Sequence, residues 1–110
     1  MKQCGLYPRI YNMLYGLTDK ELQYIVTLLS ENTKINKAVL YGSRAKGNFK
    51  PFSDVDIALF GDELSQKDVK KLLVEINDSN FPYQVDLVVY KSIKNQDLTD
   101  HINRVGISLI

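Results

Sequence analysis

The stretch NKAVLYGSRAKGNFKPFSDVDIALF, residues 36–60, decides how this chain folds. Asn36–Tyr41 is short, carries Val39, Leu40 and Tyr41, and is cut off by Gly42, the pattern of a strand that ends in a tight turn. Gly42-Ser43-Arg44-Ala45-Lys46-Gly47 then reads as one turn of helix closed by glycine. Asp54–Phe60 alternates without a break, with Asp54, Asp56, Ala58 and Phe60 on one side and Val55, Ile57 and Leu59 on the other. A second strand therefore carries two carboxylates on one face.

Toward the N-terminus, Thr18-Asp19-Lys20-Glu21 has the S/T-x-x-E form of a capping box, in which hydroxyl and carboxylate satisfy the free N–H groups of a helix start. Leu22, Ile25, Val26 and Leu29 follow at helical spacing and predict an amphipathic helix. Residues 1–17 show no clean period and are interrupted by Gly5, Pro8 and Gly16, so they read as an extension ahead of a single domain over 18–110. Toward the C-terminus, Ser65–Asn77 repeats the helical pattern with Val69, Leu72, Leu73 and Ile76. Val85–Tyr90 is a third strand, with Val85, Leu87 and Val89 on one face and Asp86, Val88 and Tyr90 on the other. If the intervening helix is a crossover, the two Asp-bearing strands lie parallel and Asp86 sits beside the Asp54/Asp56 pair. A last helix is expected over Asn95–Arg104, followed by a short apolar tail, Gly106–Ile110.

Composition narrows the chemistry. The 110 residues suffice for one small α/β (α+β) domain, and 45% hydrophobic with 25% charged residues is ordinary for a packed soluble protein. Fourteen Lys+Arg against thirteen Asp+Glu leave no bulk charge for holding nucleic acid over a wide surface, so any phosphate recognition is local. Cys4 is the only cysteine and reads as inert; it permits no intrachain disulfide and fits a reducing compartment. His101 is the only histidine, which excludes a histidine-built zinc site and leaves a Ser-His-Asp triad no other base. No apolar run approaches the ~18 residues that span a bilayer, and Pro8 and Arg9 interrupt any signal-like segment, so a cytoplasmic protein without membrane contact is expected.

The informative constellation is Gly42-Ser43, ten residues, Asp54-Val55-Asp56, then thirty positions to Asp86. Carboxylates gathered in a partly buried place repel one another, and without a cation at least one has its pKa raised. A hard dication removes that cost, and Mg²⁺ in particular is commonly held by one or two carboxylates together with substrate phosphates. Side chains at i and i+2 of a strand can bridge two such ions, which stand roughly 3.5–4 Å apart in phosphoryl-transfer sites. A Gly-Ser turn entering a helix offers backbone N–H groups and a hydroxyl to a triphosphate, with Arg44, Lys46 and Lys50 as nearby positive charge. The plain alternatives are a solvated edge strand for Asp54 and Asp56, against which Ala58 and Phe60 on the same face argue, and solvated loop charges for Lys46 and Lys50. His101, next to Ile102, reads as a surface or packing residue, and Tyr7, Tyr11 and Tyr15 as candidate partner contacts.

Leu40-Tyr41-Gly42-Ser43-Arg44-Ala45-Lys46-Gly47, with Ser53-Asp54-Val55-Asp56-Ile57 and Val85-Asp86-Leu87, resembles the nucleotidyltransferases of the DNA polymerase β superfamily. In length and order of elements, over residues 17–110, it is most similar to the minimal nucleotidyltransferase (MNT) antitoxins paired with HEPN-domain toxins. The resemblance implies a small mixed β-sheet flanked by helices, the palm-like fold of that superfamily. It also implies Mg²⁺-dependent use of ATP, with two ions, and transfer of AMP to a hydroxyl, in MNT–HEPN pairs a tyrosine of the HEPN ribonuclease. By this resemblance Gly42 and Ser43 match the phosphate-binding pair, Arg44 a commonly basic cofactor-binding position, and Asp54, Asp56 and Asp86 the catalytic metal-binding carboxylates. The partners so implied are ATP and a HEPN toxin in a hetero-oligomer, with a homodimer the alternative for the isolated chain, and no nucleic acid. Two other readings stand beside it: an antitoxin that neutralises by binding alone, and a small-molecule nucleotidyltransferase.

Overall fold

The computed structural model describes residues 13–110; Cys4, Tyr7, Tyr11 and the rest of the first twelve residues lie outside them. Secondary structure runs β1 (Met13–Leu14), β2 (Leu17–Thr18), α1 (Asp19–Ser30), β3 (Lys37–Tyr41), α2 (Gly42–Lys46), β4 (Val55–Phe60), α3 (Gln66–Asp78), β5 (Val85–Val89), a 3₁₀ turn (Tyr90–Ser92), α4 (Gln96–Val105) and β6 (Ile107–Ser108). Four strands form one mixed sheet in the order β5-β4-β3-β6. The β4–β5 pair is parallel and joined by the α3 crossover, while β3 is antiparallel to both β4 and β6. No helix among the described residues is long and apolar enough to cross a membrane.

The helices start where the side chains dictate. Thr18 Oγ accepts the N–H of Glu21, whose carboxylate accepts the N–H of Thr18, and Ser65 with Asp68 repeats this reciprocal cap at α3. Asn95 Oδ1 accepts the N–H groups of Asp97 and Leu98 at the head of α4. In α1 the buried face is Ile25, Leu28 and Leu29, so the apolar stripe is rotated toward Leu28 and away from the expected Val26, which is only partly covered.

Alternation in the strands sorts the sheet into two unlike faces. Val55, Ile57 and Leu59 of β4 are fully buried and join Val85, Leu87 and Val89 of β5, Leu40 of β3 and the inner faces of α1 and α3 in the main core. The other face carries a smaller cluster, Val39, Tyr41 and Ala58 under Ile102 of α4, with Val88 and Leu98 at its margin. One helix cannot cover that whole face, and the row at its end, Tyr41–Asp56–Asp86 across β3, β4 and β5, is where the carboxylates stand.

Two short pairings went beyond the pattern in the sequence. The tail after α4 includes β6, whose Ile107 and Ser108 pair with Leu40 and Val39. Residues 13–18 form a hairpin with a two-residue loop, Tyr15 (φ 58) and Gly16 (φ 77), both in the left-handed region that a type I′ turn requires. Leu17, the last residue of the segment read as an extension, is 2% exposed and belongs to the main core.

Candidate active site

Strand β3 ends at Tyr41, and the chain reverses at Gly42, which has φ +76. A Cβ at this position would lie 2.5 Å from Asp56 Oδ2, so glycine is required twice, by conformation and by the carboxylate pressed against its Cα. The five-residue helix α2 starts here with Ser43 in its first turn and is closed by Gly47 in the left-handed conformation, as the glycine spacing predicts.

Asp56 and Asp86 are directly paired across the parallel β4–β5 ladder, so their Cα atoms stand about one strand spacing, ~4.8 Å, apart. Asp54 precedes β4 and is exposed, as is Asp86, whereas Asp56 is half-buried. Burial, then the charges of Asp86 and Asp54, push the Asp56 carboxyl from 3.8 up to about 6, against a smaller opposing effect of Arg44. The neighbouring Tyr41 hydroxyl is pushed up to about 12, by burial first and by the Asp56 and Asp86 charges after it. These groups form an electronegative end of the sheet that favours a cation, and their donors are the hard oxygens that suit Mg²⁺. Among the described residues no three carboxylate or imidazole side chains are drawn together into a closed metal cage.

Arg44 departs from the expectation. Its side chain is 1% exposed, with Nε and Nη2 donating to the Ser53 carbonyl at 3.1 and 2.8 Å and Nη1 donating to the Tyr15 carbonyl at 2.9 Å. The guanidinium also lies over the rings of Tyr83 and Phe49, 4.4 and 5.3 Å from their centroids. It is therefore not a phosphate ligand here. It ties the hairpin, the residue before Asp54 and the approach to β5 into one unit, and it lends Asp56 a positive field. A basic residue next to a Gly-Ser turn looks the same in sequence whether it faces ligand or core. Lys46 and Lys50 are exposed.

Two residues at the site have no site role in the sequence reading. Tyr41 shares the carboxylate row, which only the strand register reveals. His101, expected to be a packing or surface residue, reaches from α4 so that its Nε2 accepts the Gly42 N–H at 3.0 Å. The resemblance gave no sign of it, because the contact joins residues 59 positions apart.

Comparison with known proteins agrees with this geometry. At 28% identity over 90 residues, 81% of this chain and 78% of the relative, the chain is similar to the MntA protein of Haemophilus influenzae, named as a probable protein adenylyltransferase. It superposes on a chain from a crystal structure of a toxin–antitoxin with AMP-PNP, with TM-score 0.69 and 26% identity over 81% of this chain and 72% of the other. The same fold is found in a Shewanella oneidensis complex of a tri-AMPylated HEPN toxin with an MNT antitoxin, with TM-score 0.64 and 22% identity over 84% of this chain and 71% of that one. The family described as "Polymerase beta, Nucleotidyltransferase" matches residues 23–110, which include the Gly-Ser turn, all three aspartates and the whole mixed sheet. On that match and this fold, the chain belongs to the polymerase β nucleotidyltransferase family.

Proposed function

We propose that this chain is a Mg²⁺-dependent adenylyltransferase that moves AMP from ATP to a hydroxyl, a tyrosine, of a HEPN-domain toxin, and so acts as that toxin's antitoxin. The observation that carries the reading is the juxtaposition of Asp56 and Asp86 on the open row of the sheet with the Gly42–Ser43 turn against Asp56. The similarity to an MntA protein and to a toxin–antitoxin structure holding AMP-PNP supports the choice of nucleotide and partner.

In this reaction Ser43, through its N–H and hydroxyl, holds the terminal phosphates, and the acceptor oxygen bonds to the α-phosphorus as the bond to pyrophosphate breaks. Asp86, exposed at the sheet edge, takes the proton of the acceptor hydroxyl. Asp54, Asp56 and Asp86 are the residues that would hold Mg²⁺, which supplies charge to polarise the α-phosphate and stabilise the leaving group. Ionic repulsion then becomes useful: carboxylates that disfavour one another alone are relieved when they share a cation. Asp54 and Asp86 are exposed and Asp56 is half-buried, so a partner chain supplies the far wall that holds the acceptor. We place the reaction in the cytoplasm, within a hetero-oligomer of the two proteins.

The test mixes the purified chain with its HEPN partner, ATP and Mg²⁺ and follows intact mass. The expected result is a gain of AMP mass on the partner that is lost in D54A/D56A. A stable complex without any mass gain refutes transfer and leaves neutralisation by binding alone. AMP appearing on small alcohols in the absence of the partner refutes the protein acceptor.

A further inference from the structure

We propose that His101 is a positioning residue for the Gly42–Ser43 turn, holding its backbone in the form that receives the phosphates of a nucleoside triphosphate. The role rests on the nucleotidyltransferase reading above, and it concerns a residue that no part of the motif includes.

The first N–H of a helix needs a partner from outside the helix. At α2 the preceding residue, Tyr41, supplies no side-chain cap. The partner comes instead from α4, where His101 Nε2 accepts the Gly42 N–H at 3.0 Å. That geometry requires an unprotonated Nε2, with the ring proton on Nδ1. Gly42 has φ +76, only one of the many conformations open to glycine, so glycine alone does not keep the turn in place. Asp56 touches the Cα side of Gly42 and His101 grips its N–H, so the turn is held from two elements distant in sequence.

The imidazole is itself located. It stands edge-on to the Tyr41 ring, with centroids 6.1 Å apart and planes at 82°. Its neighbour Ile102, 2% exposed, anchors α4 to the sheet beneath. Because the Gly42 N–H is engaged, the N–H and hydroxyl of Ser43 are the donors the turn presents to phosphate. His101 touches none of the reacting atoms; it acts through the turn.

The experiment compares the full chain with H101A and H101Q, the latter carrying an amide oxygen at the reach of Nε2. Amide hydrogen exchange at Gly42 is read by NMR, and ATP and adenosine binding by calorimetry. In H101A, Gly42 exchange accelerates and ATP affinity falls by about tenfold, while adenosine affinity is unchanged; H101Q recovers most of both losses. Equal ATP binding and equal Gly42 exchange in wild type and H101A overturn the proposal alone. A folded wild type that binds no ATP overturns the nucleotidyltransferase reading and this role with it. If H101A does not fold, H101N replaces it, since its shorter amide keeps polarity but cannot reach Gly42; wild-type behaviour in H101N then overturns the role.

Discussion

Replacing Asp56 with asparagine should make the metal-free protein more stable while it ends AMP transfer. The carboxyl is raised from 3.8 to about 6 by burial and by Asp86 and Asp54. At 1.36 kcal/mol per tenfold, keeping it ionised above that pH costs ~3 kcal/mol before screening. Asp56 is only half-buried, and solvent screening reduces the figure to about 1 kcal/mol. For a domain of this size that is a rise in Tm of about 5 °C. The sign follows from proton linkage: between pH 3.8 and about 6 the folded chain binds the proton more tightly than the unfolded one, so stability falls as pH rises through this window and is level above it. The advantage of D56N is therefore full at pH 8, shrinks as pH falls through 6 and vanishes below 4. Thermal melts in EDTA at pH 8 and pH 4 measure it directly. Added Mg²⁺ should raise the wild-type Tm and leave D56N where it was. A folded D56N that is no more stable than wild type at pH 8, or an advantage that persists undiminished at pH 4, refutes the electrostatic account.

Three further substitutions probe the site and the fold that carries it. G42A places a methyl 2.5 Å from Asp56 Oδ2 on a left-handed backbone; it should cost about 1–2 kcal/mol in denaturant melts and about a hundredfold in transfer rate. R44K offers one point donor where the guanidinium serves the carbonyls of Ser53 and Tyr15; urea titration should show a loss of about 2–3 kcal/mol, with KM for ATP unchanged per folded molecule, and a KM raised about tenfold would return Arg44 to the phosphates. Asp68 is held below the usual carboxylate range by the Ser65 N–H and then by Lys34, so its contribution is present above the unfolded pKa and lost as pH falls through the folded value; the Tm deficit of D68A should be plain at pH 7 and narrow by pH 3.

Much of this molecule is legible from local pattern, because the patterns and the tertiary structure agree. The capping box at Thr18, the helical pattern over Ser65–Asn77, the alternation of β4 and β5, and the parallel placement of Asp86 beside Asp56 all follow from residue spacing, and each is observed. What was not legible depends on contacts that spacing does not encode. The two-residue strand β6 has too little sequence to carry a period, and it exists because Val39 and Leu40 offer it an edge. Arg44 belongs to the core because two distant carbonyls and two rings form a pocket for it, and nothing in its own neighbourhood announces them. His101 lies in a helix whose periodicity concerns Leu98 and Ile102, and its contact is set by the turn it meets beside Tyr41, distant in sequence.

The strand order gives the two paired aspartates different mechanical settings. Asp56 rides on β4, which is hydrogen-bonded to a neighbour on each side, whereas among the described residues β5, carrying Asp86, is bonded to β4 alone. Inner strands exchange their amides through global opening, while an edge strand can peel and reseat within the native ensemble. Asp56 is thus held on both sides by the sheet. Val85, Leu87 and Val89 keep β5 in the main core, so Asp86 stands on a strand that is anchored by its inner side chains but has one row of backbone groups left over for another chain to meet.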